Sequence, residues 1–440
     1  MISLFIFMII PCGIIVSLIL WKTKSQKSEF LRNGPADVDI VLIIYFTFYY
    51  LQVLLAWVFG ISQAQSTGRF FAGETALSTT DNTYLYMASC WLGGFASFAF
   101  FRLLFDRVFS ATGYIRFANA NTPLTNKYNR RSGLFIVILI IGTIAAVQLS
   151  IIAKSGFSAF LDIASARLAK AEDSYILLIG LLFLIPAIVS TFAFDIKFRS
   201  FMLLWLVGFI VAGLGGGRGA TFILLFLLIL RLILIDNRRV SIMWLFLGMI
   251  PAVFALYFYT NFVRFRGTGG SDNGIFDFLI NSETFASWKS LAAVIEISYR
   301  TPYPGYSLFS AVFYPFPRAI VPFKPDPPSS LFTMQISPSR FENTNSEITI
   351  SGMGDMVANF GVLWGPITFG LLLALVASFA CRIRSEGTGR GTAIYTALIM
   401  FCMTFFRADT FGASRVIWFL ALIVILQRTL GAVLKLLRGR

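Results

Sequence analysis

Residues 359–381 read NFGVLWGPITFGLLLALVASFAC, an unbroken apolar run without a charged side chain, closed by Arg382 and Arg384. About 20 helical residues cross the hydrocarbon core of a bilayer, so this run has the length and composition of a membrane span. Runs of the same kind recur at 2–21, 40–61, 84–104, 134–153, 175–194, 201–214, 221–235, 242–260, 392–406 and 416–433. The expectation is an all-α, polytopic integral membrane protein with about 11 transmembrane helices. Composition agrees: 57% of the 440 residues are hydrophobic and only 13% are charged, which excludes an ordinary soluble chain. The spans leave no room for a separate soluble domain, so residues 1–440 read as one membrane domain. The first span lacks a basic stretch before it and a small-residue cleavage site after it, and is expected to stay as a helix.

Lysine and arginine set the expected orientation, because loops rich in them stay in the cytoplasm. One set of alternate connections carries Lys22, Lys24, Lys27 and Arg32, then Arg107, Arg116, Lys127, Arg130 and Arg131, and later Lys197, Arg199, Arg238, Arg239, Arg382, Arg384 and Arg390. With Lys435, Arg438 and Arg440 at the end, that set accounts for most of the formal charge of +15. The expected N-terminus is therefore outside and the C-terminus cytoplasmic. The excess charge is a topology signal and implies no nucleic acid. Histidine is absent, which removes the commonest general base and metal ligand. Cys12, Cys90, Cys381 and Cys402 fall in or at the ends of spans, so neither a disulfide nor a metal site is expected.

Polar residues concentrate on the expected outer face. The connection 261–358 is the longest and turns sharply towards Pro, Ser, Asn and Gly. Its middle, 302–328, reads PYPGYSLFSAVFYPFPRAIVPFKPDPP, which predicts short helical turns and extended pieces on the membrane surface. Residues 276–297 have the periodicity of one or two helices. A second outer connection, 154–173, spaces Phe157, Phe160, Leu161, Ala164 and Leu168 as an apolar stripe, the pattern of a helix in the interface. Arg167 on its polar flank reads equally as a head-group anchor or as a substrate cation.

Arginines at span ends on this face run against the bias that should deplete them there. GLGGGRGA at 213–220 holds Arg218 in a glycine turn between two spans, and it lacks the Lys and Ser or Thr of a phosphate loop. VRFRGTGG carries Arg264 and Arg266, FPRAIVPFKP carries Arg318 and Lys324, and FFRADTFGASR carries Arg407 and Arg415. Singly, each suits an ion pair or a lipid head group. Together they suit an anionic substrate, since planar guanidinium grips phosphate or carboxylate through two bonds. Asp355, Asp409 and Glu347 are the carboxylates on the same side, with the first two ranked ahead as a general base.

The order GGGRGA, then PFPRAIVPFKPDPP in a long loop, then SGMGDMVANFGVLWG entering a span, resembles the bacterial oligosaccharide repeat-unit polymerases (Wzy or O-antigen polymerases) from about Gly213 to Arg415. The resemblance implies a glycosyltransferase of the bacterial inner membrane. Its donor and acceptor would be oligosaccharides linked to undecaprenyl diphosphate, with no cofactor, membrane lipids around it and a chain-length regulator as a possible partner. In that reading Arg218, Arg318 and Arg407 contact diphosphate, Arg264, Arg266 and Lys324 rank second, and Tyr303, Tyr306 and Tyr314 face sugars. O-antigen ligases are disfavoured because they resemble one another in using a loop histidine. A transporter or flippase is the alternative from another class; it would be marked by internal repeats and broken helices.

Overall fold

The computed structural model describes residues 37–58, 80–111, 130–166, 182–194, 196–214, 218–236, 287–316, 318–344, 347–385 and 388–438. These residues form helices and connections, with no strand among them. In chain order the helices are α1 (Val38–Val58), α2 (Asp81–Ala111), α3 (Arg130–Ala166), α4 (Leu182–Ala193), α5 (Phe198–Leu214) and α6 (Arg218–Leu234). Those of the long loop are α7 (Ser287–Glu296), α8 (Tyr306–Val312), α9 (Pro328–Ile336) and α10 (Pro338–Thr344). Then follow α11 (Gly352–Ser385), α12 (Gly389–Arg407) and α13 (Thr410–Arg438). Within α1, α2, α3, α11, α12 and α13 lie six stretches long and apolar enough to cross a membrane, which indicates a membrane-embedded protein. Of the expected spans, 2–21 and 242–260 lie outside the described residues, as does the start of the one at 175–194. α4, α5 and α6 are shorter apolar helices at their expected positions.

The core of the bundle is aromatic. Tyr49 stacks on Trp91 at 5.4 Å and Trp91 on Phe406 at 5.9 Å, while Phe46 meets Phe406 edge-on at 4.9 Å, joining α1, α2 and α12. Contacts of this kind contribute about 0.5–1.5 kcal/mol each beyond the area they bury. At one end of the bundle Arg102 of α2 donates to Asp39 of α1 at 2.8 Å and to Ser378 of α11 at 3.2 Å. Buried amides bond across helices elsewhere, Gln148 to the Val211 carbonyl at 2.8 Å and Gln427 to Ser190 at 3.2 Å.

α11 is not one straight helix. Gly361 stands at φ 84°, ψ 172°, in a region that side-chain-bearing residues avoid, and the chain reverses there. A Cβ on Gly365 would lie 2.6 Å from the Cα of Val357, so the arm 352–360 folds back on the start of the main helix. Further along, Met353 reaches Gly94 of α2, and Phe369 packs on the same glycine. Residues 357 and 353 thus face 365 and 369 symmetrically about the turn. At 1.5 Å rise per residue the arm descends about 12 Å into the bundle. Asp355, expected in a loop ahead of a span, is therefore inside the bundle.

The loop helices also enter the bundle. α7 buries Trp288, Lys289, Leu291, Ala292, Ala293 and Val294 against α1, α2 and α11, with Trp288 6.2 Å from Tyr84. The helix expected within 276–297 is thus present at Ser287–Glu296, with 276–286 outside the described residues. The proline-rich middle forms α8 and turns as expected. It does not simply lie on a surface, since Tyr306, Ser307, Ser310 and Ala311 face inward. The interfacial helix expected at 157–168 appears as the continuation of α3 to Ala166, beyond a break at Gly156.

Candidate functional site

The described residues bring Asp355 and Asp409 into one buried network that holds the loop to the bundle. Asp355 is wholly buried and Asp409 is 3% exposed. One oxygen of Asp355 accepts from the hydroxyl of Ser307 on α8 at 2.5 Å and from the amide of Asn359 at 3.2 Å. The other accepts from the Thr410 backbone N–H at 2.9 Å and its hydroxyl at 2.6 Å. Asp409 joins two helix N-termini. Its Oδ1 caps α13 through the Gly412 N–H at 2.6 Å, while its Oδ2 accepts from the N–H and hydroxyl of Ser329 in the first turn of α9, at 3.1 and 2.5 Å. Carboxylates at helix N-termini satisfy donors that have no partner within the helix.

α8, α9, α11 and α13 therefore converge on two carboxylates. Asn359 donates back to Ser307 and to the Asp355 carbonyl, both at 2.7 Å, and accepts from the Ser307 N–H. Ser329 also receives the Ile350 N–H at 3.3 Å, and Thr333 receives that of Ile348 at 2.7 Å, so the strand-like entry to α11 is held too. In this network every oxygen of Asp355 and Asp409 is occupied by a donor.

Glu347 differs. Its residue surface is exposed, but its carboxyl end turns inward to accept from the Ser330 hydroxyl. Burial of that end raises its pKa above the ordinary carboxylate value, with the field of Asp409 adding to the rise, and the Ser330 bond and Arg415 opposing it. Arg415 and Tyr314 are near enough for charge on Glu347 to act on them, and Phe411 and Lys324 adjoin these two. Tyr314 meets Phe411 edge-on at 4.7 Å. Lys324 Nζ lies 5.6 Å from the Tyr314 ring centre and donates to the carbonyls of Tyr314 and Phe316 at 2.8 and 2.9 Å. The Arg415 guanidinium lies 5.5 Å from the same ring and 5.8 Å from that of Phe411.

The remaining sequence-selected cations are distributed as follows. Arg318 is exposed and pairs with Asp326. Arg407, half-buried at the end of α12, makes no hydrogen bond or ion pair among the described residues, and its electrostatic neighbour is Tyr45 of α1. Arg218 opens α6, and its side chain lies outside the described residues. Arg264, Arg266 and Arg167 lie outside them as well. Of the three tyrosines, Tyr306 donates to the Asp326 carbonyl at 2.9 Å and sits against Tyr303 at 5.2 Å.

Ser307, Ser329, Asn359 and Thr410 went unselected in the sequence. A signal existed for two of them: Asp-Thr ahead of an apolar run, and Pro-Pro-Ser-Ser ahead of another, are helix-start patterns. Nothing local marks Ser307 or Asn359 as partners of Asp355. Comparison with protein-family models, with curated proteins and with solved structures finds no match for this chain. A functional reading therefore rests on the chain's own residues.

Proposed function

We propose that this protein polymerises lipid-linked oligosaccharide repeat units at the outer face of the bacterial inner membrane, transferring a glycan from undecaprenyl diphosphate to the terminal sugar of another lipid-linked repeat. The observation that carries the reading is the clamped loop: Asp355 and Asp409 fix the proline-rich segment against the helix ends, and Glu347 stands near Arg415. Glycosyl transfer from a lipid diphosphate asks for that combination. A base must take the proton of the acceptor hydroxyl, and positive charge must receive the departing diphosphate.

In this reading Glu347 takes the role of base, because its carboxyl is held by the Ser330 hydroxyl alone among the described residues and burial moves its pKa upward. Asp355 and Asp409, ranked first from the sequence, act as positioning residues, since their oxygens already hold four and three donors. Arg407, which pairs with no carboxylate among the described residues, and Arg318 and Arg218 supply positive charge to the diphosphates. The test is a deletion strain complemented with wild-type or Glu347→Gln protein, with polymer displayed on a gel. A ladder restored by the wild type and collapsed to single repeats by the variant, at equal protein level, supports the reading. A full ladder in the deletion strain overturns it.

The second reading is a polysaccharide-related transporter or flippase, favoured by the break at Gly361, since broken helices with buried polar groups mark transporters. Repeats accumulating on the cytoplasmic side of the deletion strain would establish it.

A further inference from the structure

Arg415 makes no ion pair among the described residues. Its guanidinium lies 5.5 and 5.8 Å from the ring centres of Tyr314 and Phe411, and its Nε is buried with no hydrogen-bond partner among the described residues. No carboxylate lies within ion-pair distance of it among the described residues, although Glu347 is near enough for its field to be felt. A ring face attracts a cation, but it offers no acceptor to the N–H groups. Lys324 shares both rings, and two of its donor positions go to backbone carbonyls, which are neutral. Two positive charges are thus gathered on one aromatic platform with Glu347 as the nearby acid.

Exposed apolar side chains stand beside the platform. Phe316, Ile320 and Phe323 are 42, 70 and 69% exposed, and Phe323 leads directly into Lys324. Phe313 links this ridge to the platform, meeting Phe323 at 5.5 Å and preceding Tyr314. A free sugar acid or inorganic phosphate would use the cations and leave the ridge unexplained. A lipid that carries phosphate uses both.

Resting on the polymerase reading, we propose that Arg415 and Lys324 form a phosphate subsite for a lipid diphosphate whose hydrocarbon chain runs along the Phe316, Ile320 and Phe323 ridge. Tyr314 and Phe411 flank the guanidinium, and a planar guanidinium can give two parallel N–H bonds to one phosphate. The geometry requires arginine at 415. A lysine there keeps the charge and loses the paired, planar donors.

Purified full-length protein in nanodiscs, titrated with labelled undecaprenyl diphosphate, tests this directly. Arg415→Gln is expected to weaken binding roughly tenfold or more, Arg415→Lys to recover only part of the loss, and Lys324→Gln to weaken binding by a smaller factor. Arg390→Gln, an exposed cation at the other end of α12, should bind as the wild type does. Thermal unfolding of each variant identifies any that fail to fold; Arg415→Lys and Lys324→Gln then carry the comparison. Wild-type affinity in Arg415→Gln overturns the subsite, as does no measurable binding by the wild type. Equal competition by phosphatidylglycerol also overturns it, and assigns the cations to bilayer head groups. A deletion strain that keeps its polymer while Arg415→Gln still loses the diphosphate would end the polymerase reading and leave the subsite standing.

Discussion

Replacing Asp355 by Asn should release the loop from the bundle. The carboxylate takes four donors, and the Thr410 N–H among them is fixed by the backbone. In Asp355→Asn the amide oxygen must stay with Thr410, so the new NH₂ turns to Ser307, whose oxygen already accepts from Asn359. The Ser307 proton is left without its acceptor. One or two charge-assisted bonds are lost, about 2 kcal/mol. Asp355→Ala strands the Thr410 N–H as well, about 4 kcal/mol in all.

Trypsin reads the result. The Arg300–Thr301 bond sits where Thr301 bonds to Asn359, and cleavage there needs local opening. At tenfold per 1.4 kcal/mol, the nick should be roughly thirtyfold faster in Asp355→Asn and several hundredfold faster in Asp355→Ala. Glu342→Gln, exposed on α10, serves as the control. Wild-type cleavage in Asp355→Ala would refute the clamp. Loss of polymer in Asp355→Asn with the nick rate unchanged would mean that the carboxylate acts chemically and not as a fastener.

Gly365→Leu should prevent the arm from folding back, because its Cβ alone would meet the Val357 backbone; protein yield and melting temperature should both fall, and an unchanged melting temperature would contradict the reversal. Ser298, left-handed at φ 51° after α7, should be replaced by glycine at a gain of about 0.5–1 kcal/mol, read as a higher melting temperature. Burial lowers the Lys289 pKa from 10.5 to about 7, so the unfolded chain binds more protons between those values and stability should rise as pH increases from about 7 towards 10. Lys289→Met should flatten that slope in a series of melting curves; a slope kept in full would place its origin elsewhere. Arg318→Ala should change stability by less than about 1 kcal/mol, because the pair with Asp326 is exposed, and chain extension measured at equal protein level then isolates its contribution to activity.

The six long apolar helices were legible because crossing hydrocarbon imposes a length and a composition that no local context overrides. α7 was legible for a related reason: SWKSLAAVIE repeats its apolar positions at helical spacing, and that face found a partner. The reversal at Gly361 was hidden, since NFGVLWGPITFG is equally apolar on both sides of the turn. Asp355 and Asp409 were selected from the sequence as carboxylates, but not as fasteners. Their partners lie 48, 55 and 80 residues away, beyond the reach of any periodicity. Arg415 was visible as a cation, and only the ring contacts separate it from Arg318, whose charge is answered by Asp326.

The spacing of the clamp has a consequence for biosynthesis. Ser307 leaves the ribosome 48 residues before Asp355, and Thr410 leaves 55 residues after it. Until α13 is made, the Asp355 carboxylate has only half of its donors, and α9 has no Asp409 at its first turn. The loop is thus translated early and secured last. A chain terminated anywhere before Thr410 should insert most of the preceding helices and still leave the loop open, which makes the synthesis of α13 the step at which the cell's quality control can tell a clamped loop from a loose one.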